Sequence, residues 1–385
     1  MKGTPWRLAA GIAVFGLGVF SVSAQSTAEL NERGMKKYRV GDLKGALEDF
    51  GAAIALDPSQ PDAYFFRACV EFDRQEFDAA QRDADHLIVL KPGGVWGYIK
   101  RGEINGVQKR FIEAISDLDT AISIDPSFAI AFSDRGFAKQ QLHDLEGAAA
   151  DLNRAIELDG KFARAYGNRA ELRYRTGDIS GAAADTERFI ALMPNDPGGF
   201  LFRGELKSDG GDFDGALADT NHALALKPGL AEGYYSRARV YLGKRDYVHA
   251  LPDLDAYISL GLPEDTSVPY ARFSRHLCLA ALGRGTEDDL AKVVPGWKEG
   301  WPKTVGLFLV GGISREEFQK RALAADTPSA RLDQRCECGY YLGVVDRLDG
   351  RTDLAKGEFR DCLATGRTSF IEYRLSKSEL AALKD

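Results

Sequence analysis

Apolar positions recur at the same places, at one fixed interval, all the way from Thr27 to Glu264. Counting each copy from Thr27, Pro61, Val95, Ala129, Ala163, Pro197 and Ala231, the fourth position is Leu30, Tyr64, Tyr98, Phe132, Tyr166, Phe200 and Tyr234. The eighth is small throughout: Gly34, Ala68, Gly102, Gly136, Ala170, Gly204 and Ala238. The twentieth is always alanine: Ala46, Ala80, Ala114, Ala148, Ala182, Ala216 and Ala250. Positions 4, 8 and 11 share one helical face, as do 20, 24 and 27. Gly41-Asp42, Gly177-Asp178 and Gly211-Asp212 lie between the two stretches as turn signals. Pro58, Pro92, Pro126, Pro194 and Pro228 stop the second stretch, because proline lacks the N–H that a helix interior needs; Gly160 takes that place in the fourth copy. The pattern predicts seven antiparallel helix pairs, at 27–60, 61–94, 95–128, 129–162, 163–196, 197–230 and 231–264. The small residues at positions 8 and 20 fit helix axes about 8–10 Å apart, where a larger side chain would overpack.

Two charged phases run with the apolar ones. Position 7 is Arg33, Arg67, Arg101, Arg135, Arg169, Arg203 and Arg237; position 23 is Asp49, Asp83, Asp117, Asp151, Asp185, Asp219 and Asp253. Each arginine can meet the aspartate of its own hairpin, as Arg135 with Asp151, or that of the preceding unit, as Arg135 with Asp117. Spacing alone leaves both open. A bidentate pair would fix the angle between helices in either case, and a recurring partner makes these arginines structural pairs rather than a ladder for ligands.

The aromatic, small, alanine and proline pattern on this period resembles the tetratricopeptide repeat, with arginine where that family usually has leucine at position 7. The resemblance implies an all-α, right-handed superhelical solenoid whose first helices line a concave groove. Positions 2, 5, 9 and 12 would then face the groove and supply Phe65, Phe72, Trp96, Ile99, Phe137, Tyr174, Leu201 and Tyr235, with Glu103, Glu171 and Glu205 among them. About half of these aromatics are expected to pack between neighbouring helices instead. The family's carboxylate clamp is missing, since position 5 reads Asn31, Phe65, Ile99, Ser133, Gly167, Leu201 and Tyr235. An apolar groove flecked with acid suits a protein segment carrying apolar anchors and some positive charge.

The ends depart from the repeat. Lys2 and Arg7, the apolar run Leu8–Phe20 and the small residues Val22-Ser23-Ala24 form a secretory leader, residues 1–24, with cleavage expected after Ala24; an uncleaved anchor is the alternative. No further segment is apolar enough to span a bilayer, so the mature chain is expected outside the cytoplasm, in a bacterial periplasm, without a transmembrane segment. From 265 to 335 the register loosens: Arg275 meets the arginine phase only with four residues inserted, Val268–Lys298 is a degenerate hairpin, and a helix is expected from Ser314 to Ala325. A hairpin returns at 336–369 with Gly343, Ala355 and Phe359 in phase but Leu342 and Glu358 in place of the Arg/Asp pair. Residues 370–385 then carry a capping helix, Ile371–Leu383, over the last apolar face. The order Trp301-Pro302, Tyr340-Tyr341-Leu342-Gly343, Glu372-Tyr373 and Glu379-Leu380 is similar to the C-terminal part of bacterial periplasmic repeat lipoproteins that act as adaptors, although no lipid-attachment cysteine sits near the cleavage site.

Of five cysteines, Cys362 is expected to form a structural disulfide with Cys336 or Cys338; a redox-active or metal-binding C-x-C is the alternative. Cys69 and Cys278 read as reduced and packed. Loss of the leader removes Lys2 and Arg7 and takes the formal charge from −7 to −9, which disfavours nucleic acid. His86, His143, His222, His249 and His276 fall on different units with no metal-ligand spacing, and no phosphate loop or nucleophile elbow is present. Neither cofactor nor metal is implied. The expected function is a non-catalytic scaffold for a protein or peptide partner, with an adaptor role in the cell envelope; recognition of cell-wall polymer and self-association through open solenoid ends are the alternatives.

Overall fold

The computed structural model describes residues 26–261, 266–285, 288–368 and 370–383. The leader and its cleavage after Ala24 lie outside the described residues, as does the end of the seventh unit at Glu264. The described residues form helices and no strands, and the chain divides between Leu192 and Met193 into two compact units.

The first unit holds five helix pairs: α1 Thr27–Arg39 with α2 Leu43–Leu56, α3 Pro61–Asp73 with α4 Phe77–Leu90, α5 Val95–Val107 with α6 Phe111–Ile124, α7 Ala129–Gln141 with α8 Leu145–Leu158, and α9 Ala163–Arg175 with α10 Ile179–Leu192. Every turn within a pair places its fifteenth repeat position in the left-handed region. Glycine fills it at Gly41 and Gly177, while Gln75, Lys109 and His143 hold φ between 62° and 64°. Asp42, Asp144 and Asp178 then accept a hydrogen bond from the N–H three residues on and cap the second helix. The position-20 alanines are buried in each pair. At Gly102 a Cβ would stand 2.9 Å from Leu118 Cγ, so the small eighth residue is required by the close approach of α5 and α6.

The second unit continues with α11 Pro197–Asp209, α12 Phe213–Leu226, α13 Ala231–Gly243 and α14 Tyr247–Leu260, then leaves the repeat. Helix α15 Val268–Ala281 packs on α14, but the second helix of that hairpin shrinks to α16 Leu290–Val293 and one 3-10 turn, Val294–Gly296. Helices α17 Trp301–Leu309, α18 Arg315–Leu323, α19 Pro328–Leu348, α20 Thr352–Ala364 and α21 Ile371–Ala382 follow. Ser314 caps α18 by accepting from Glu317 N–H. Helix α19 starts at Pro328, well before the expected hairpin boundary at Cys336, because Thr327 and Pro328 supply an N-cap and a first-turn proline. These helices share one apolar core in which Phe273, Leu290, Val305, Phe318, Tyr341 and Phe359 are almost wholly buried.

Candidate functional site

Within each unit the first helices of successive pairs touch one another, α1 on α3, α3 on α5, α5 on α7 and α7 on α9, and likewise α11 on α13. Among the described residues the second helices make no comparable contact with one another. The first helices therefore lie on the short side of each stack, and their shared face is concave.

The arginine phase fixes that stacking. In every pair the arginine donates from Nε and Nη2 to both oxygens of the aspartate in its own second helix, as in Arg135–Asp151 at 2.8 and 2.6 Å. The same bidentate bond joins Arg33–Asp49, Arg67–Asp83, Arg101–Asp117, Arg169–Asp185, Arg203–Asp219 and Arg237–Asp253. The pairing lies within a hairpin, and the position-23 aspartate of the preceding pair is not the partner. Between successive pairs the contact runs through Nη1 to position 25 of the preceding pair: Arg101 to Asp85, Arg135 to Asp119, Arg169 to Asn153 and Arg237 to Asn221. Arg275 reaches Asp255, at position 25 of the seventh pair, at 2.6 Å through Nε, so a contact to this position survives the four-residue insertion with a different donor atom. Position 25 is Asp or Asn in five of the seven copies, with Gly51 and Glu187 in the others, a weaker signal than the aspartate at position 23.

Position 11 adds a second cation to some of the pairs. Lys37, Lys139, Arg173 and Lys207 bind the same aspartates at 2.7–2.9 Å. The Arg33 bond, helped by Lys37, holds the Asp49 carboxyl below the usual carboxylate range. Glu71 occupies this position in the second pair and faces Asp83. Burial, reinforced by the Asp83 charge, pushes Glu71 up to about 7.

On the concave face of the first unit, Trp96 is 41% exposed and packs between Phe65 and Phe128 at centroid distances of 5.2 and 5.1 Å. Phe65 and Tyr174 are half-buried. Phe72 and Phe137 are also half-buried and meet Phe77 and Phe111 edge-on from their neighbouring second helices. Ile99 does not belong to the surface. It is 3% exposed and packs with Val95, Leu118 and Ala131, because position 5 turns inward where α5 meets α6 and α7.

Beside these rings lies a charged cluster that the sequence did not reveal beyond Glu103. Lys100 Nζ donates to Glu103 at 2.6 Å and sits 5.1 Å from the Phe72 ring centroid. Arg164 Nη1 lies 3.1 Å from Asp134 and 3.6 Å from Glu103. Burial alone would raise Glu103, but Lys100 and Arg164 bring it below its ordinary value, whereas Asp134 is pushed up to about 6 by burial. These residues occupy positions 6, 9, 6 and 2 of three helices, so no period marks them.

The second unit differs at the corresponding face. Leu201 and Tyr235 lie on the concave helices α11 and α13, and Tyr235 stacks on Tyr257. Yet α21 is seated there: it packs on α13, and Arg374 reaches Glu205 and Asp209 of α11 at 2.9 Å. Helix α21 therefore covers part of this face, at Glu205 and Asp209. Cys336 and Cys362 are free thiols with sulfurs 3.0 Å apart, and the contact does not involve Cys338. Cys278 is buried and reduced, and Cys69 is half-buried. Among the described residues no group of His, Cys, Asp and Glu is arranged to hold a metal, and no helix is long and apolar enough to cross a membrane.

Residues 31–93 and 134–198 match the tetratricopeptide repeat family. Among solved structures, the chain is similar to a tetratricopeptide repeat protein from Parabacteroides merdae, with 21% identity and a TM-score of 0.50 over 66% of this chain and all of that one. It is also similar to the Cut9–Hcn1 hetero-tetramer of the APC/C, at 17% identity and a TM-score of 0.55, again over 66% of this chain but only 48% of that chain, about half its length. Comparison with curated proteins gave no match. With seven in-phase helix pairs joined by the same arginine bonds, the chain is a tetratricopeptide repeat protein with an all-helical solenoid fold.

Proposed function

We propose that the first unit binds a segment of another protein on its concave face and that the chain works as a non-catalytic adaptor in the bacterial periplasm. Tetratricopeptide repeats are generally interaction scaffolds, and what supports this finer reading is the state of Trp96. A tryptophan left 41% exposed between two other rings is a preformed apolar anchor, the kind of residue that carries binding energy at interfaces. The cluster of buried Lys100 and half-buried Glu103, Asp134 and Arg164 beside it makes the surface rigid and mixed in charge, favouring a segment with apolar anchors and at least one cation. The leader pattern at Lys2, Arg7 and Val22-Ser23-Ala24 supports export.

A photo-crosslinking amino acid at position 96 in the full chain, expressed in its own cells, tests this. The expected result is one dominant crosslinked protein in the periplasmic fraction, lost when the probe sits at exposed Val40 instead. Crosslinks to cell-wall polymer, to a second copy of the chain, or to nothing at either position would overturn it.

A further inference from the structure

Helix α21 packs on α20, α19 and α13 and reaches α11 through Arg374. Of the four residues that α21 buries, Glu372, Ser376 and Glu379 are polar and only Leu375 is apolar. By contrast α20, next to it, buries Ala355, Phe359 and Cys362. The fastening of α21 follows its composition. Arg374 binds Glu205 and Asp209 on α11; Glu379 lies 3.1 Å from Arg347 on α19 and 3.6 Å from Arg245 in the α13–α14 turn; Tyr341 donates to Glu372 at 3.3 Å. Arg239 on α13 shares Glu205 with Arg374. Ser376 Oγ is buried with no hydrogen-bond partner. Partly buried Ile371, Tyr373 and Leu380 complete an amphipathic helix against the core.

Charged pairs removed from water attract each other strongly but give back most of that gain as lost hydration. A helix held this way contributes little net stability compared with one that buries a leucine and phenylalanine face. The concave surface beneath it, with Glu205 and Asp209 spaced one helical turn apart, matches an arginine on an amphipathic helix.

From this we propose that α21 is an internal ligand of the concave face of α11 and α13, a releasable latch whose departure opens an acidic site for an arginine-bearing amphipathic helix of a partner protein. The inference concerns the second unit and does not depend on what binds at Trp96. Release breaks no covalent bond; it exchanges one set of ion pairs for another. The occupant that replaces α21 must bring a guanidinium to Glu205 and Asp209, or forgo the bonds that Arg374 makes to both, leaving Glu205 to Arg239.

Hydrogen exchange on the full chain tests the latch, with Arg374→Glu as the main variant and Arg374→Ala as the milder one. In either variant, exchange across 371–382 is expected to accelerate about tenfold or more while α19 and α20 keep their wild-type protection. A labelled peptide with the sequence of residues 370–383 serves as the external probe. It is expected to bind the Arg374→Glu chain saturably and the wild type at least about tenfold more weakly, and a peptide in which the arginine is replaced by glutamate is expected to bind neither. If α19 and α20 lose protection together with α21 in both variants, α21 is a structural cap and the proposal fails. It also fails if the peptide binds both chains equally, or binds neither.

Discussion

At the scale of single residues, the recurring arginine makes two bonds of different worth. Arg135 holds Asp151, whose side chain is 6% exposed, and also Asp119, whose side chain is 55% exposed. Double-mutant cycles on thermal or denaturant unfolding should return a coupling of about 2–3 kcal/mol with Asp151, less than about 1 with Asp119, and none with Asp117, which Arg101 and Asn105 already occupy. Equal coupling to Asp117 and Asp151 would contradict the bond pattern. Glu71 breaks the same rule from the other side, because an acid stands where other pairs place a cation. Its folded pKa, about 7, lies above the ordinary 4.5, so folding favours the protonated form. The stability it permits is complete below about pH 4.5 and declines as pH rises through 7. Glu71→Gln should remove that slope and stabilise the chain by about 1–3 kcal/mol at pH 8, read from unfolding midpoints at pH 5 and 8. Of the two arginine partners, Asp151 stands in the sequence as an invariant phase, whereas Asp119 belongs to a position that is Asp or Asn in five units but Gly51 and Glu187 in the other two. Glu71 and the Lys100–Asp134–Arg164 cluster were not, since their contacts join positions that carry no common residue type.

Elements follow from local signals wherever those signals are complete. Gly41-Asp42 fixes a turn and an N-cap together, and α1 ends and α2 begins accordingly. Gln75, Lys109 and His143 take the same left-handed backbone without glycine, which shows that helix packing on both sides enforces the turn. Ala114 lies at the closest approach of α5 and α6, where its carbonyl oxygen stands 3.4 Å from a Cβ built on Gly102. Ala114→Leu should destabilise by about 1–3 kcal/mol, and an unchanged melting curve would count against the register. Between α19 and α20 the sulfurs of Cys336 and Cys362 already touch. In an oxidising buffer the two thiols should lose two hydrogens to a disulfide, raising stability by about 3 kcal/mol for a loop of this length. Peptide mapping without reductant should find Cys336 linked to Cys362 and leave Cys338 alkylated, and reductant should lower the melting temperature. The hairpin after α15 was legible only as a weakening. Its second helix is replaced by a single turn of α-helix and a 3-10 segment, because the core is closed there by α17 and α18 from further along the chain.

At the scale of the whole molecule, the two units are built on different patterns of contact. In the first, apolar clusters are small and repeat: Phe50 packs with Ala46 and Val70, Leu152 with Ala148 and Leu172. In the second, residues from Ala238 to Leu375 enter one core, and Phe273 touches Tyr270, Trp297 and Tyr341 from separate elements. Periodicity reports contacts between neighbours in sequence, so it described the first unit well. It could not show that α21 returns to α11, joining Arg374 to Asp209, a contact that depends on where the irregular helices turn the chain. The same contrast dictates how damage should spread. Phe50→Ala and Phe273→Ala each empty a wholly buried site and should each cost about 3–5 kcal/mol. In the first unit stability is nearly a sum over pairs and their interfaces, so hydrogen exchange should rise in α1 to α3 and leave α7 to α10 unchanged. In the second, the cavity at Phe273 is lined by α15, α19 and the segment after α16 at once. Exchange should therefore rise together across α13 to α20, because none of those helices keeps its apolar face covered if another moves. Loss of protection confined to α15 after Phe273→Ala would mean that the second unit, too, is only a row of independent neighbours.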